Sequence, residues 1–441
     1  MRKASLVLVA IALIGISASA LDRQSGADYH ARREALAKKA GGVVLLLAPL
    51  EGFDAVYDFR QNDDFYYLSG VTTPKAALLI APAREAKGDV AARPYSEILF
   101  LPPRNLRLER FTGPQLGGDD PAAPKITGFD RVEDIGKLSA EVSALLAGQR
   151  PVVFTELPSP ENRPPSADAL DFLQHSTAML FFEEVKPMLA SLRTTKDAGE
   201  VALIRKAVDA SVAAHLAAMR ATKPDMKEYE ISAVLQYEWT RRGCERPSYS
   251  PIVGSGHNST VLHYGENSAT MKSGDVVVID AAGEYSMYAA DITRTLPVNG
   301  HFTARQKEIY DIVLGAQEAA AAAFVSGKSK LGGDPEVSLD KVARDYIKTH
   351  GKDLHGEPLD KYFIHGLGHY IGLNVHDPDD YTVPLAPGMT FTIEPGIYIP
   401  EENIGVRIED DYLVGADGKL IKLSAALPSR AEEVEKAMAG K

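Results

Sequence analysis

Four acidic residues and one histidine in the second half of the chain have side chains of the kinds that bind divalent metal ions. They are Asp280, Asp291, His369, Glu394 and Glu409. Four carboxylates and one imidazole suit a hard or borderline ion such as Mn²⁺, whereas softer ions prefer thiolate ligands. If the fold brings the five together, two such ions sharing a hydroxide would form a dinuclear hydrolase centre.

The two aspartates adjoin runs with the pattern of strands. The apolar run 276–279 ends in Asp280, and the run 288–294, which contains Asp291, is expected to return beside it after a turn. This pairing would aim both carboxylates into one site. The alternative interpretation is structural, with Asp280 capping the turn and Asp291 paired with Arg294 on the surface.

His365 and His369 stand four residues apart, as do the histidines of a zinc-binding helix. The three glycines between positions 366 and 372 make a helix costly, at about 1 kcal/mol each. We therefore expect an extended strand, on which both histidines share one face, with His376 on the following turn. A lone histidine is more simply structural, but three so close in a glycine-rich segment indicate a site-lining strand.

The two glutamates also adjoin strand-like runs. Glu394 follows the apolar run 389–393 and precedes a Pro-Gly pair, which forces a turn. Apolar and charged residues alternate over 405–409, so Arg407 and Glu409 are expected to share one face. That face lines either a cleft or the solvated outside of the sheet. Glu394, at the end of its strand, either binds metal or caps the turn.

The composition limits the function and predicts two domains. A chain of 441 residues suits two domains, and a net charge of -12 without a long basic run argues against nucleic acid as a partner. Mixed helical and strand-like runs over 21–190 predict an α/β domain. Two successive helix–helix–strand halves within 191–441 predict a pseudo-twofold α+β domain with a central cleft.

Helix starts in the second domain are predicted from polar residues. The stretch 193–197 is expected to open a long helix. Asp225 with Glu228, and Thr303 with Gln306, have the spacing of capping boxes for two later helices.

Residues 1–20 have the pattern of a signal peptide. A positively charged start precedes the apolar run 6–16, and the small residues 18–20 match a cleavage site. We expect a mature chain that begins at Leu21, is exported (periplasmic or secreted) and has no stable membrane insertion after cleavage. An uncleaved anchor helix is the alternative. Cys244 is the only cysteine, so no intrachain disulfide is possible.

Several motifs together resemble the pita-bread-fold metallopeptidases, specifically the Xaa-Pro aminopeptidases (aminopeptidase P). The matching stretches are 60–70, 247–249, 252–256, 262–264, 280–295, 365–369, 375–377, 394–396 and 407–411. The resemblance covers nearly all of the mature chain. It implies a pita-bread catalytic domain over 191–441, α+β with a pseudo-twofold antiparallel sheet and helices, preceded by an aminopeptidase P N-terminal α/β domain over 21–190.

The resemblance also implies a role for each metal ligand. Two divalent ions, Mn²⁺ foremost, would be held by Asp280, Asp291, His369, Glu394 and Glu409. Asp291 and Glu409 would bridge the ions. A bridging hydroxide would attack the carbonyl before proline, and Glu394 would take its proton.

Further roles concern the substrate. His263 and His376 would contact it and stabilise the tetrahedral intermediate, and His365 would shape the pocket for the residue after the scissile bond. Arg407 would support either the metal ligands or a substrate carboxylate. Where some relatives carry a tryptophan that caps a neighbouring subunit's site, this chain has Phe111. That difference leaves oligomer-dependent specificity open.

The implied function is a metal-dependent aminopeptidase that hydrolyses the bond between an N-terminal residue and a following proline. A prolidase restricted to Xaa-Pro dipeptides is the alternative, and it would need a cleft closed beyond the proline site. A catalytically dead peptide-binding relative would lack ligands, and none is missing. The implied partners are proline-containing peptides and further copies of the chain, as a dimer or tetramer.

Overall fold

The structure is a computed structural model of the chain. It describes residues 22–49, 59–88, 92–146, 152–158, 181–378 and 380–440. The expected signal peptide lies outside the described residues.

The first part of the chain builds one mixed sheet of six strands from the described residues. The strands are β1 Val43–Leu47, β2 Ala77–Ala81, β3 Ser96–Leu101, β4 Arg131–Asp134, β5 Val152–Thr155 and β6 Phe181–Glu184. Their order is β4-β3-β2-β1-β5-β6. The β1–β2 and β2–β3 pairs are antiparallel and the others are parallel. Strand β2 is apolar and fully buried, as expected for a strand covered on both faces.

Short helices flank this sheet. They are α1 Gly26–Ala40, α2 Asp63–Ser69, α3 Glu109–Thr112, α4 Ala123–Thr127 and α5 Leu138–Leu146. Helix α1 begins with a capping box between Ser25 and Asp28, which satisfies two N–H groups of the first turn. A buried ion pair of 2.7 Å between Arg33 and Glu97 then ties α1 to β3.

The second part contains helices of 8 to 24 residues, and its described strands pair only antiparallel. The helices are α6 Lys186–Arg193, α7 Ala198–Ala221, α8 Glu228–Thr240, α9 Ala304–Ala322, α10 Leu339–His350 and α11 Ala431–Met438. The strands are β7 Arg246–Pro247, β8 Ile252–Ser255, β9 Val276–Asp280, β10 Gly283–Glu284, β11 Thr293–Pro297, β12 Thr390–Ile393, β13 Gly396–Ile399, β14 Ile404–Arg407, β15 Asp410–Val414 and β16 Leu420–Lys422.

The order of these elements repeats. Helices α7 and α8 precede the sheet β11-β9-β8, and helices α9 and α10 precede the sheet β12-β15-β16 and the pair β13-β14. This matches the predicted α+β architecture of two helix–helix–strand halves. The predicted domain boundary near residue 190 falls inside α6 and stays a prediction.

Two of the three predicted helix starts are confirmed and one is wrong. Asp197 caps α7 and Thr303 caps α9, each in a capping box. The N-cap of α8 is Lys227, not Asp225. Asp225 has a positive φ of 72°, and Glu228 instead accepts two hydrogen bonds of 2.8 Å from the N–H and hydroxyl of Ser255. The Glu228 side chain, which the spacing assigned to the capping box, therefore forms a tertiary contact with Ser255 instead.

The strand predicted over 365–369 is irregular in the structure, although it runs beside β12. The N–H of Thr392 donates to the carbonyl of His369, and the N–H of Glu394 donates to that of Leu367, both at 2.8 Å. A Cβ on Gly368 would lie 2.1 Å from the carbonyl oxygen of Thr392. Glycine therefore permits the close approach that brings this segment against β12, the strand that directly precedes Glu394.

Candidate metal centre

The first half of the domain contributes two buried aspartates. Strands β9 and β11 pair with Asp280 opposite Thr293, and Asp291 lies two residues before that position. One hydroxyl, that of Tyr249, lies 2.5 Å from Asp280 Oδ1 and 2.6 Å from Asp291 Oδ1. The surface pairing of Asp291 with Arg294 is wrong, because Arg294 is buried and donates to Asp410 at 2.7 Å instead.

The second half adds two glutamates and a histidine. Strands β12 and β15 pair so that Ile393 lies opposite Asp410, which brings the adjoining Glu394 and Glu409 to the same end of the sheet. His369 Nε2 lies 3.3 Å from both Asp291 Oδ2 and Glu394 Oε1. The five predicted ligands therefore lie together in one cleft, whose floor includes all of them.

The two halves are joined directly at Thr293 and Glu409. The N–H of Glu409 donates to the carbonyl of Thr293 at 3.1 Å, and the Thr293 hydroxyl donates to Glu409 Oε2 at 2.6 Å. This leaves Glu409 Oε1 buried without a hydrogen-bond partner among the described residues. An unpaired carboxylate oxygen is costly in such a position unless a cation balances it.

The electrostatics fit a divalent cation. Burial and neighbouring carboxylates raise the pKa of Glu409 well above its usual range, and burial with the charge of Asp291 raises that of Glu394 to about 7. Ligand atoms of Asp291, His369 and Glu409 all lie within 4.8 Å of one another. Crowded acidic oxygens beside an imidazole are the donor set of a site for divalent metal ions.

His369 lies between two of these carboxylates. Burial opposes the charged ring, but the hydrogen bond to Asp291 and the charge of Glu394 outweigh it and raise the pKa to about 10. A metal bound at Nε2 would have to displace that proton, so metal binding at neutral pH is coupled to proton release.

Arg407 is buried and every guanidinium nitrogen has a partner. It donates to Asp280 Oδ2 at 2.5 Å, to the Tyr398 hydroxyl at 2.8 Å and to the Thr293 hydroxyl at 3.2 Å. These contacts orient Asp280 and support the first of the two predicted roles, that of holding the metal ligands.

The three remaining histidines line the same cleft, which has a volume of about 530 Å³. His365 donates to or accepts from the Tyr398 hydroxyl at 2.9 Å, and burial lowers its pKa to about 4, so the ring is neutral. The ring of His376 stands edge-on to that of His369, with centroids 4.4 Å apart. His263 and His376 are exposed at the rim, where a substrate can reach them.

Two tyrosines of the site were not predicted. Tyr249 belongs to the motif 247–249, which matched the family without assigning it a role, so a local signal existed. Tyr398 joins Arg407 to His365 from strand β13. Nothing in its immediate sequence distinguishes it from an ordinary strand residue.

The first part of the chain contacts the turn that carries His376. Arg60 donates to the carbonyl of Leu373 at 2.7 Å, and Asp63 accepts from the side chain of Asn374 at 2.9 Å. The Asn374 side chain in turn accepts from the N–H of His376 at 3.0 Å. The N-terminal sheet domain therefore helps to position one wall of the cleft.

Comparison with known proteins identifies the family of both parts. Residues 202–416 match the model of metallopeptidase family M24, and residues 29–154 match that of the aminopeptidase P N-terminal domain. The chain is 35% identical over 438 residues to the Xaa-Pro aminopeptidase of Escherichia coli, an alignment that covers 93% of this chain and 97% of that one. It is also 35% identical over 411 residues to the Xaa-Pro aminopeptidase of Haemophilus influenzae, covering 87% and 90%.

Solved structures agree in fold. Aminopeptidase P from Escherichia coli with the inhibitor Pro-Leu superposes with a TM-score of 0.82 at 32% identity, covering 95% of this chain and 99% of that one. A putative aminopeptidase P from Bacillus anthracis gives 0.85 at 29% identity, with the same coverage. The predicted fold class is confirmed, and identity over nearly the whole length shows that this chain belongs to the Xaa-Pro aminopeptidases of metallopeptidase family M24, which are metal-dependent hydrolases.

Proposed function

We propose that this aminopeptidase removes the first residue of peptides whose second residue is proline, and that it uses two divalent metal ions, Mn²⁺ foremost. The ions would be held by Asp280, Asp291, His369, Glu394 and Glu409. The single observation that carries the proposal is that these five side chains line one cleft, in which Glu409 Oε1 has no hydrogen-bond partner among the described residues. A ligand set that includes one imidazole favours an ion that accepts nitrogen as well as oxygen, hence Mn²⁺ over Ca²⁺ or Mg²⁺.

The chemistry then divides between metal and side chains. When bound, the two ions supply a hydroxide near neutral pH and a Lewis acid for the scissile carbonyl. Glu394, a carboxylate of the cleft beside His369, would accept the proton of the nucleophile. His263 and His376, at the rim of the cleft, would donate hydrogen bonds to the developing oxyanion.

Specificity for proline follows from the shape of the substrate. An Xaa-Pro amide is tertiary and has no N–H, so a site that requires this donor cannot bind it. Neutral His365, which also packs edge-on against Phe363 at 5.0 Å between centroids, would form one wall of a pocket for the pyrrolidine ring.

The shape of the cleft favours an aminopeptidase over a prolidase. Asp280, Asp291 and Glu409 are buried at the floor, whereas Ser250, His263 and Gly366 are exposed at the rim. A cleft that opens to solvent leaves room for residues after the proline. The catalytically dead alternative has no support, since all five ligands are present and meet in space.

An assay on matched peptides tests the function. Purified protein with Mn²⁺ would be given an Xaa-Pro dipeptide, the corresponding Xaa-Pro-Yaa tripeptide, and a tripeptide with alanine replacing proline. We expect the proline tripeptide to be cleaved faster than the dipeptide and the alanine peptide to stay intact. Cleavage of the dipeptide alone would identify a prolidase, and inert Mn²⁺-loaded protein would overturn the proposal.

We also propose export to the periplasm or medium, with a mature chain that begins at Leu21. The support is the pattern of residues 1–20 alone. In the described part of the chain, no helix is long and apolar enough to cross a membrane. N-terminal sequencing of protein from the native host tests the cleavage, and recovery of Met1 would contradict it.

We propose that the protein acts as a homo-oligomer, a dimer or tetramer. Phe111 on α3, at the place where some relatives carry a tryptophan that caps a neighbouring subunit's site, is 80% exposed, so another copy of the chain can reach it. Sedimentation analysis of the wild type and of Phe111→Ser tests the idea, and a monomeric wild type would refute it.

A further inference from the structure

Two buried polar side chains reach the ligand-bearing segments from the helices behind them. They are His215 on α7 and Gln317 on α9, each 1% exposed. Neither lines the cleft. Burying a polar side chain is unfavourable unless it is hydrogen-bonded, so their partners indicate what they do.

His215 contacts the backbone beside Asp280. Its Nε2 lies 2.9 Å from the carbonyl oxygen of Ala281, the residue after Asp280. The N–H of Ala281 in turn donates to the carbonyl of Ile292, the residue after Asp291, at 3.2 Å. Burial lowers the pKa of His215 to about 4, so the ring is neutral and donates a single N–H.

Gln317 contacts the backbone beside both glutamates. Its Nε2 donates to the carbonyl of Ile393 at 2.9 Å and to that of Ile408 at 3.2 Å. These residues directly precede Glu394 and Glu409. The same nitrogen also lies 3.0 Å from Asp410 Oδ2, so the amide joins the two ligand segments of the second half.

The contacts of His215 and Gln317 occupy equivalent places in the two halves of the domain. Helices α7 and α9 each open one half, and one polar side chain of each helix bonds backbone that joins the two ligand segments of that half: Gln317 bonds both segments directly, and His215 bonds Ala281, which is itself bonded to Ile292. Every carbonyl belongs to a residue adjacent in the chain to a carboxylate ligand. Such a tether limits how far the two segments of a half can move apart, and therefore how far apart their carboxylates can lie.

We infer that His215 and Gln317 are positioning residues that fix the spacing of the carboxylate pair in each half and thereby set the affinity of the centre for metal. The inference rests on the proposed two-metal function. Partners of ligands in comparable outer positions change metal affinity by about 10–100-fold when they are removed.

The test uses variants that keep shape and lose the donor. Gln317→Met and His215→Leu remove the N–H groups, while His215→Gln returns a donor close to the position of Nε2. The matched control is Tyr310→Phe. Tyr310 is a buried residue of the same helix as Gln317, and its hydroxyl donates to the carbonyl of Ser429 at 2.9 Å, away from the ligand segments.

Titration calorimetry of chelator-treated protein with MnCl₂ gives affinity and stoichiometry, and thermal unfolding without metal gives stability. We expect Gln317→Met and His215→Leu to bind Mn²⁺ about 10–100-fold more weakly, and excess Mn²⁺ to restore activity on an Xaa-Pro-Yaa peptide. Tyr310→Phe should lose stability but keep wild-type affinity, and His215→Gln should recover affinity relative to His215→Leu.

Unchanged Mn²⁺ affinity in variants that are merely less stable would overturn the inference and leave a packing role. If His215→Leu does not fold, Gln317→Met and His215→Gln decide the question. Failure of the wild type to bind Mn²⁺ or another divalent ion would instead refute the proposed function, and the inference with it.

Discussion

Arg193 donates a 2.6 Å hydrogen bond to Asp377, the residue that follows His376. A second guanidinium nitrogen donates to Asp64 of the N-terminal sheet domain, also at 2.6 Å. Lys196 completes the cluster at 3.0 Å from Asp377. Both partners of the first bond are almost fully buried, so this cluster links the position of a predicted catalytic histidine to the packing of the other domain.

We therefore expect Arg193→Met to impair both stability and catalysis. Removing one partner of a buried ion pair costs about 3–5 kcal/mol, and displacement of His376 by about 1 Å would lower kcat/KM by about 100-fold. Thermal unfolding and kinetics on an Xaa-Pro-Yaa peptide, below the unfolding temperature, measure the two effects.

Arg305→Met is the matched control for this variant. Arg305 pairs with Glu402 at 2.7 Å but is about a quarter exposed, so its loss should cost no more than about 1 kcal/mol and leave kcat/KM unchanged. Equal kinetics for folded Arg193→Met and wild type would show that the cluster only stabilises the fold.

Substitutions of metal ligands should lower the amount of bound metal, whereas substitutions of substrate-contacting residues should not. Asp291→Ala removes a proposed bridging carboxylate, so bound metal and activity should fall together. His263→Ala should keep wild-type metal content while kcat/KM drops by about 10²–10³-fold, the usual cost of losing one oxyanion donor. Loss of metal from His263→Ala would contradict this division of roles, as would undiminished turnover.

Removal of metal should abolish activity reversibly. A chelator would strip the centre, and Mn²⁺ should restore activity better than Ca²⁺ or Mg²⁺ because one ligand is an imidazole. Activity is measured together with metal analysis of the same sample. Full turnover by demonstrably metal-free protein would exclude the two-metal assignment.

The metal-free protein should lose stability as pH rises. The pKa of Glu394 is raised from 4.5 to about 7 in the fold, so ionisation between these values opposes folding. The pKa of His369 is raised from 6.5 to about 10, so its stabilising charge is complete below pH 6.5 and is lost as pH approaches 10. Both groups act in the same direction.

Unfolding temperatures at pH 6 and pH 9 measure this effect. The chelator-treated protein should unfold at a lower temperature at pH 9, whereas Mn²⁺, which binds the deprotonated ligands, should reduce the difference. A chelator-treated protein that is equally stable at both values would contradict the electrostatic description of the site.

Local sequence determined much of this protein. The apolar run before Asp280 predicts a buried strand, and all residues of β9 are buried in the structure. The Thr303–Gln306 spacing predicts the start of α9, because both partners of the capping box lie within four residues. The five predicted ligands, each within a short motif and in the family's order, predicted the chemistry. Each of these signals lies within one or more short stretches of the chain.

Tertiary structure alone decided the rest, because the deciding contacts join residues far apart in sequence. Thr293 meets Glu409, and Glu228 bonds Ser255 instead of capping α8. The irregular path of 365–369 depends on the approach of Gly368 to Thr392. His215 and Gln317 look like ordinary helix residues in sequence. Their acceptors are backbone carbonyls, which every residue has, so the sequence does not show which residue accepts the bond.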